Sequence, residues 1–317
     1  MRTVARAAAL ALALTAVSTA GRAASGTTAE EVLDVRPSAR ADALGGAYVA
    51  LGDEVSALPY NPAAMAFIQG PSVSFLHFVE VDSVSLEDLD YGQKFDFGTL
   101  GLGVEYQGQP AIENPMATDA PVVAWDLVIT GDYAFALNRI SYNLPGFLSN
   151  ATGGVALKFI ESQLGAYTAD AFAVDFGLRA PLGDGLTFGA SILNLGTPVK
   201  FISVSDPLPA TALVGVSRSF DPLFSNQFNF SADLDDSFLD TTRLRFGAED
   251  WIGKILALRV GYVLDSAQSL NGMTGGFGVV LDQDGLIFHL DYAILPYYFS
   301  GFNSMELQQQ FQMSLTF

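Results

Sequence analysis

In successive segments between Phe172 and the last residue, apolar side chains recur at every second position. Phe172, Val174, Phe176 and Leu178 share one parity; Ala171, Ala173, Asp175, Gly177 and Arg179 share the other. Phe228, Phe230, Ala232 and Leu234 oppose Asn229, Ser231 and Asp233. Leu244, Phe246 and Ala248 oppose Arg243, Arg245 and Glu249. Leu256, Leu258, Val260, Tyr262 and Leu264 oppose Arg259 and Gly261. Leu286, Phe288, Leu290, Tyr292 and Ile294 oppose His289 and Asp291. Successive side chains of an extended chain point to opposite faces, so this period means strands. Several segments run about ten residues, longer than the five or six usual in soluble sheets and close to the roughly 9–11 that cross a bilayer obliquely.

Pro181-Leu182-Gly183-Asp184-Gly185, Asn271-Gly272 and Asp282-Gln283-Asp284-Gly285 separate the segments. Asn-Gly and Asp-Gly suit tight hairpins because both positions tolerate positive φ. From Phe67 onward the pattern supports about a dozen to fifteen strands. A soluble sandwich would bury the apolar parity against a second sheet; a membrane barrel would show it to lipid. Strand length and the small, polar inner parity favour the all-β transmembrane antiparallel β-barrel. Trp125, Tyr133, Trp251, Tyr262, Tyr292, Tyr297 and Tyr298 lie in or near segment ends, where interfacial aromatic girdles sit.

The first residues add a destination. Arg2 and Arg6 precede an apolar run from Ala7 to Val17, and Ser18-Thr19-Ala20 and Gly21-Arg22-Ala23 offer small-residue cleavage sites. The order predicts a cleaved export signal over residues 1–23, since the run is too short to span a bilayer as a helix. Its removal takes three arginines from a chain that already sets 15 Lys+Arg against 34 Asp+Glu, a net charge of −19. That balance excludes nucleic acid as an expected partner, because phosphate binding needs Lys and Arg. The absence of cysteine and the presence of two histidines remove disulfides and thiolate chemistry and leave little for a metal site. No cofactor and no metal are expected.

Residues 24–69 do not alternate. Ser38 to Tyr48 is rich in small residues, and Asn61-Pro62-Ala63 follows a Pro59-Tyr60 turn. The stretch reads as a short helix with loops, seated in the lumen as a plug. Non-strand backbone is allowed at membrane depth where protein surrounds it. Residues 70–317 then form the barrel.

Here the sequence resembles a known group. "SARADALGGAYVALGDEVSALPYNPAAMAF" is similar to the N-terminal signature of the PorV/PorQ outer-membrane proteins, relatives of the FadL-type barrels. In that signature a Gly-rich run precedes an acidic position and an Asn-Pro-Ala motif. The matching positions are Gly45, Gly46, Ala47, Asp53, Asn61, Pro62 and Ala63. "LTFGASILNLGTPVKF", "LPATALVGVSRSF", "LALRVGYVLD" and "HLDYAILP" resemble later segments in the same order. "FQMSLTF", with Phe311, Met313, Leu315 and Phe317 on one parity, resembles the aromatic-ended last strand that barrel assembly machinery recognises.

The resemblance implies about fourteen strands, a location in the outer-membrane lipid, and a luminal plug carrying Asp42, Gly45, Gly46, Asp53, Asn61 and Pro62. It implies one of two non-enzymatic roles. The leading expectation is an accessory to protein secretion or surface anchoring, beside a type IX-like translocon or its secreted cargo. The alternative is a FadL-like channel passing hydrophobic small molecules such as long-chain fatty acids. In it, Gly45 and Gly46 let the plug turn tightly, and Asn61-Pro62 fixes the chain as it approaches the first strand.

Other chemistry is weakly represented. Gly98, Gly101, Gly103 and Gly108 do not spell a phosphate loop and read as inward-facing strand glycines. Asp233, Asp235, Asp236 and Asp240 lack the spacing of a calcium loop and read as a solvated acidic hairpin. Glu87, Asp88 and Asp90 read as solvated beside another hairpin. His77 and His289 sit in strands, the latter sharing a parity with Asp291, with no nucleophile motif nearby.

Overall fold

The structure, a computed structural model, describes residues 31–79, 83–112, 121–140, 143–203, 205–220, 226–239, 241–266, 272–298 and 305–317. The expected export signal, Asp240 and Asn271 lie outside the described residues. Within them the chain opens with a 3₁₀ turn at Glu31–Asp34 and a five-residue helix, α1 (Ala39–Ala43). Two more 3₁₀ turns follow at Val55–Ala57 and Pro62–Phe67. Fourteen strands come next: β1 (Ser72–Val79), β2 (Ser85–Phe95), β3 (Gly98–Ile112), β4 (Val122–Ala136), β5 (Thr152–Leu164), β6 (Tyr167–Gly183) and β7 (Leu186–Gly196). They continue with β8 (Thr211–Ser219), β9 (Asn226–Ser237), β10 (Thr242–Ile252), β11 (Leu256–Asp265), β12 (Gly272–Gln283), β13 (Leu286–Tyr298) and β14 (Met305–Thr316).

Each strand pairs antiparallel with its sequence neighbours, and β14 returns to β1 with Ser72 opposite Thr316 and Val79 opposite Gln309. The sheet therefore closes into a fourteen-stranded barrel with no free edge. Both ends of the strand set, Ser72 and Thr316, lie at one rim. The short β2–β3, β6–β7, β10–β11 and β12–β13 turns share that rim with them.

Alternation sorts the two faces as expected. On β11, Leu258, Val260, Tyr262 and Leu264 are exposed, while Ala257, Arg259 and Asp265 are buried. On β14, Phe311 and Met313 are more than half exposed and face outward, while Gln310 and Gln312 are buried inside. Stacked rings on the outer face mark both rims: Phe95 and Phe97 at 5.1 Å with Tyr133 and Phe135 at 5.5 Å, and Tyr106 with Trp125 at 6.3 Å.

Three expectations need correction. Trp251 is not a girdle residue. It shares the inward parity of Arg243, Arg245 and Glu249, and its ring lies 5.9 Å from the Arg40 guanidinium and 5.6 Å from that of Arg259. Asp233 and Asp235 are not in a solvated hairpin but in the second half of β9, buried and facing the lumen. Asp88 and Asp90 are likewise buried on β2. The two misread acidic runs have one origin. A short polar run reads as a turn when its partners are unknown, whereas a closed barrel creates a second, hidden polar face. Of the four glycines near residue 100, Gly101 and Gly103 face inward. Gly98 instead turns the chain at φ +151, and Gly108 lies on the outer side against Tyr106.

Candidate functional site: the plugged lumen

The plug runs down the lumen as a chain of short turns, and each is fixed to a different part of the wall. Ser38 caps α1 by accepting from the Ala41 amide, and the Ala39 amide donates to Gln312 Oε1 on β14 at 2.8 Å. Beyond α1 the backbone must turn back on itself, which Gly45 (φ +68) and Gly46 (φ +75) allow. The same turn backs onto Gly261 of β11. A Cβ at Gly45 would lie 2.9 Å from the Tyr262 amide nitrogen, so the plug touches the wall backbone to backbone. Asn61 adopts the extended conformation of an N-cap and accepts from the Ala63 amide, with Pro62 at the first helical position. Its Nδ2 donates to Val49 O at 2.8 Å and Leu178 O at 3.1 Å. Asn61 thus ties two plug turns to β6 rather than guiding the chain directly into β1, which begins at Ser72.

Charge makes the strongest ties. Arg40 of α1 meets Glu249 of β10 through two bonds of 2.9 Å, and its remaining nitrogen reaches Asp53 at 2.7 Å. Arg259 of β11 bonds the same Glu249 at 2.7 Å and also pairs with Asp291. Arg36 pairs with Asp235 of β9, whose Oδ2 also accepts from Arg245 at 3.0 Å, and Arg245 reaches on to Gly45 O at 3.0 Å. Among the described residues no carboxylate stands in ion-pair contact with Arg179 of β6. It donates to Ala50 O, Leu51 O and Gly52 O, and its guanidinium lies 3.9 Å from the Phe67 ring centre.

The plug's own ionisable groups follow from this. Burial alone would lower the Arg40 guanidinium, but Glu249, Asp53 and Glu54 hold it well above its ordinary value. Burial pushes the Asp42 carboxyl up, to about 6, against the lowering effect of Gln310 and Arg245. Asp42 also accepts from Tyr60 Oη at 3.3 Å. Asp53 is half exposed and faces a polar cleft of about 290 Å³ at the rim near Ser72 and Thr316, with Lys254 and His289.

Toward the opposite end of the lumen lies an apolar cluster. Val32 and Leu33 are buried against Val128 of β4, Ile160 of β5 and Ala169, Ala171 and Ala173 of β6. Val199 and Leu208 of the β7–β8 connection close over them, drawn together by a bridge from Val199 to Asp206. Beneath this pocket β7 carries a bulge, so that the register steps from Val174–Leu195 to Phe176–Ile192. The extra residue turns Asn194 inward at φ +59. Its amide donates to Asp175 Oδ1 at 2.6 Å, Lys158 donates to its side-chain oxygen at 2.7 Å, and its Nδ2 reaches Leu33 O and Pro209 O at 3.3 Å. One bulge therefore ties the wall, the covering loop and the first plug turn together.

The sequence signature places Asp42, Gly45, Gly46, Asp53, Asn61 and Pro62 in one plug, and the structure brings Asp53 to Arg40 and Gly45 to Arg245. Residue-type reasoning missed Arg36, Arg40 and Arg179 as wall ties. The signal was present in Arg40, a lone cation in a run of small residues. His77 and His289 face opposite sides of the barrel, His77 outward beside Glu87 at 3.0 Å and His289 into the rim cleft.

The model of an uncharacterised protein family (UPF0164) matches residues 4–118. No curated protein matches the chain. Among solved structures, the chain is similar to the CymD monoaromatic hydrocarbon channel, at 13% identity and TM-score 0.60 over 87% of this chain and 96% of that one. It is similar to the Ralstonia pickettii toluene transporter TbuX, at 11% identity and TM-score 0.57 over 87% and 96%. It is similar to a Pseudomonas aeruginosa FadL homologue, at 12% identity and TM-score 0.50 over 87% and 97%. At such identities the likeness is one of fold: this barrel has the architecture of FadL-type outer-membrane channels, and the matched structures are channels rather than enzymes.

Proposed function

We propose that the chain is exported, loses residues 1–23, and enters the outer membrane as a channel for hydrophobic small molecules. Barrel assembly machinery would read the outward Phe311, Met313, Leu315 and Phe317 of β14. The observation that carries the transport reading is the apolar cluster toward the end of the lumen away from Ser72 and Thr316. A polar lumen has no need of Val128, Ile160 and three alanines on one patch of wall, and that patch is filled by the plug's own Val32 and Leu33. The alanines clear space and the aliphatic side chains supply a surface that an apolar guest could share, with about 25 cal/mol gained per Å² removed from water. That the solved channels of this fold include hydrocarbon and toluene transporters supports the same reading.

In this reading Asp42, Gly45, Gly46, Asp53, Asn61 and Pro62 seat the plug, while Val32 and Leu33 occupy the guest's position until it arrives. The secretion-accessory role drawn from the PorV/PorQ resemblance is the lesser reading, since it calls for a translocon or cargo and gives the apolar pocket no task.

The test is uptake of labelled toluene and labelled oleate by cells that lack their own hydrophobic channel and express this protein. Uptake of at least one should rise several-fold over cells with an empty vector. Ala171→Trp, which fills the pocket, should abolish the gain, while Val216→Trp on the outer face should not. Folded barrel in the membrane with no gain for either compound would refute the channel. Co-purification with a larger translocon or with cargo would then restore the secretion role.

A further inference from the structure

We propose that the Lys158–Asp175 ion pair sets the charge of the guest: the apolar cluster accepts uncharged molecules and turns away a carboxylate on the same hydrocarbon chain. The inference rests on the channel reading and narrows it to a substrate class. In the register Ile160 lies opposite Ala171 and Lys158 opposite Ala173, so the lysine is the next inward position along β5 from the cluster's Ile160. Its Nζ lies 2.9 Å from Asp175 Oδ2 and donates to Asn194 Oδ1 at 2.7 Å. Lys158 is 8% exposed and Asp175 0%.

A fatty-acid carboxylate seated among these side chains would need a cation, because a buried charge is sustained only where it is paired. Lys158 is the basic side chain that the wall places beside the cluster, and Asp175 already neutralises it. A guest cannot easily push Asp175 aside, since its Oδ1 accepts from the Asn194 amide at 2.6 Å. The bulge that ties the covering loop to the plug therefore also holds Asp175 against the lysine. Other cations are engaged elsewhere or face away. Arg36 is paired with Asp235, and Arg179 donates to the carbonyls of Ala50, Leu51 and Gly52. Lys200 is exposed, between Val199 and Phe201, the residues that pack onto the cluster.

The remaining charge on this wall is acidic. Glu105 of β3 lies opposite the cluster's Val128, and Asp126 and Asp132 share the inward parity of Val128 on β4. With Asp175 they set four carboxylates around one lysine. A further carboxylate would meet like charge, and discrimination of this kind follows from charge left without a partner. An alcohol or a hydrocarbon meets no such cost and keeps the gain from leaving water.

The experiment compares labelled oleyl alcohol with labelled oleate, one chain with two head groups, at neutral pH. It uses the channel-deficient cells expressing this protein, with labelled toluene alongside. Oleyl alcohol and toluene should rise several-fold over an empty vector, and oleate should stay near it. Oleate uptake equal to that of the alcohol overturns the charge assignment and leaves the channel standing. No gain for any of the three, with folded barrel in the membrane, overturns the channel and this inference with it. Asp175→Asn releases Lys158 and keeps an oxygen for the Asn194 amide. It should raise the ratio of oleate to alcohol uptake about tenfold, the worth of one hydrogen bond to a charged group. Lys158→Met combined with Asp175→Asn removes both partners, leaves no stranded charge, and should return the ratio to its original value. An unchanged ratio in an Asp175→Asn barrel that still carries the alcohol overturns the role of the pair. A raised ratio that persists in the double variant does so too, because Lys158 is then not the carboxylate's partner.

Discussion

On the β9–β11 and β13 side of the lumen, Asp235, Glu249 and Asp291 each meet an arginine, two of them from the plug itself. On the β2–β4 side, Asp88, Asp90 and Asp132 are as deeply buried, and among the described residues no basic side chain stands in ion-pair contact with them. The first wall grips the plug; the second presses carboxylates against its apolar side. The same residue type, at similar depth and on the same barrel face, therefore has opposite energetic consequences. A buried pair is costly to break because removal of one partner strands the other, while an unpaired buried charge is costly to keep.

The largest test of that contrast is Glu249→Ala. It takes the shared buried carboxylate from both Arg40 and Arg259, leaving Asp53 to the first and Asp291 to the second, and should cost about 3 kcal/mol, read from urea unfolding of the refolded barrel. A loss below about 1 kcal/mol would erase the distinction between the walls. Next comes Arg179→Met, which leaves three plug carbonyls with fewer donors and should cost about 2–3 kcal/mol. Its specific signature is faster proteolysis of the plug with the barrel intact, since Arg179 touches residues 50–52 and nothing on the outer face. Asn61→Ala removes a cap, one bond to another plug turn and one bond to the wall, and should cost about 1–2 kcal/mol by the same unfolding assay. Asp132→Asn has the smallest expected effect and the opposite sign. Read by the same unfolding assay, it should be neutral or stabilise by up to about 1 kcal/mol, because it removes a buried carboxylate that no basic side chain meets among the described residues.

Much of this was legible from residues alone. The parity of β6, β9, β10, β11, β13 and β14 could be written from the alternation, and every one of those inner and outer sets stands in the structure. Strand chemistry is local: an apolar side chain two residues from another points the same way whatever the strand pairs with. The plug was legible as the one long stretch without alternation. Charge pairing was not. Arg40 and Glu249 are 209 residues apart, and no local pattern joins them. Trp251 was misread because an aromatic near a strand end looks the same whether it faces lipid or a guanidinium.

Period-two patterning determined that this chain is a closed sheet with a greasy exterior, because a strand's two faces are set by its own covalent geometry. Which carboxylates are held by arginine and which are left bare was decided only when closure set the register and the plug took its seat. Coulomb interactions act across space rather than along the chain, so the partner of a buried charge exists only in the folded molecule.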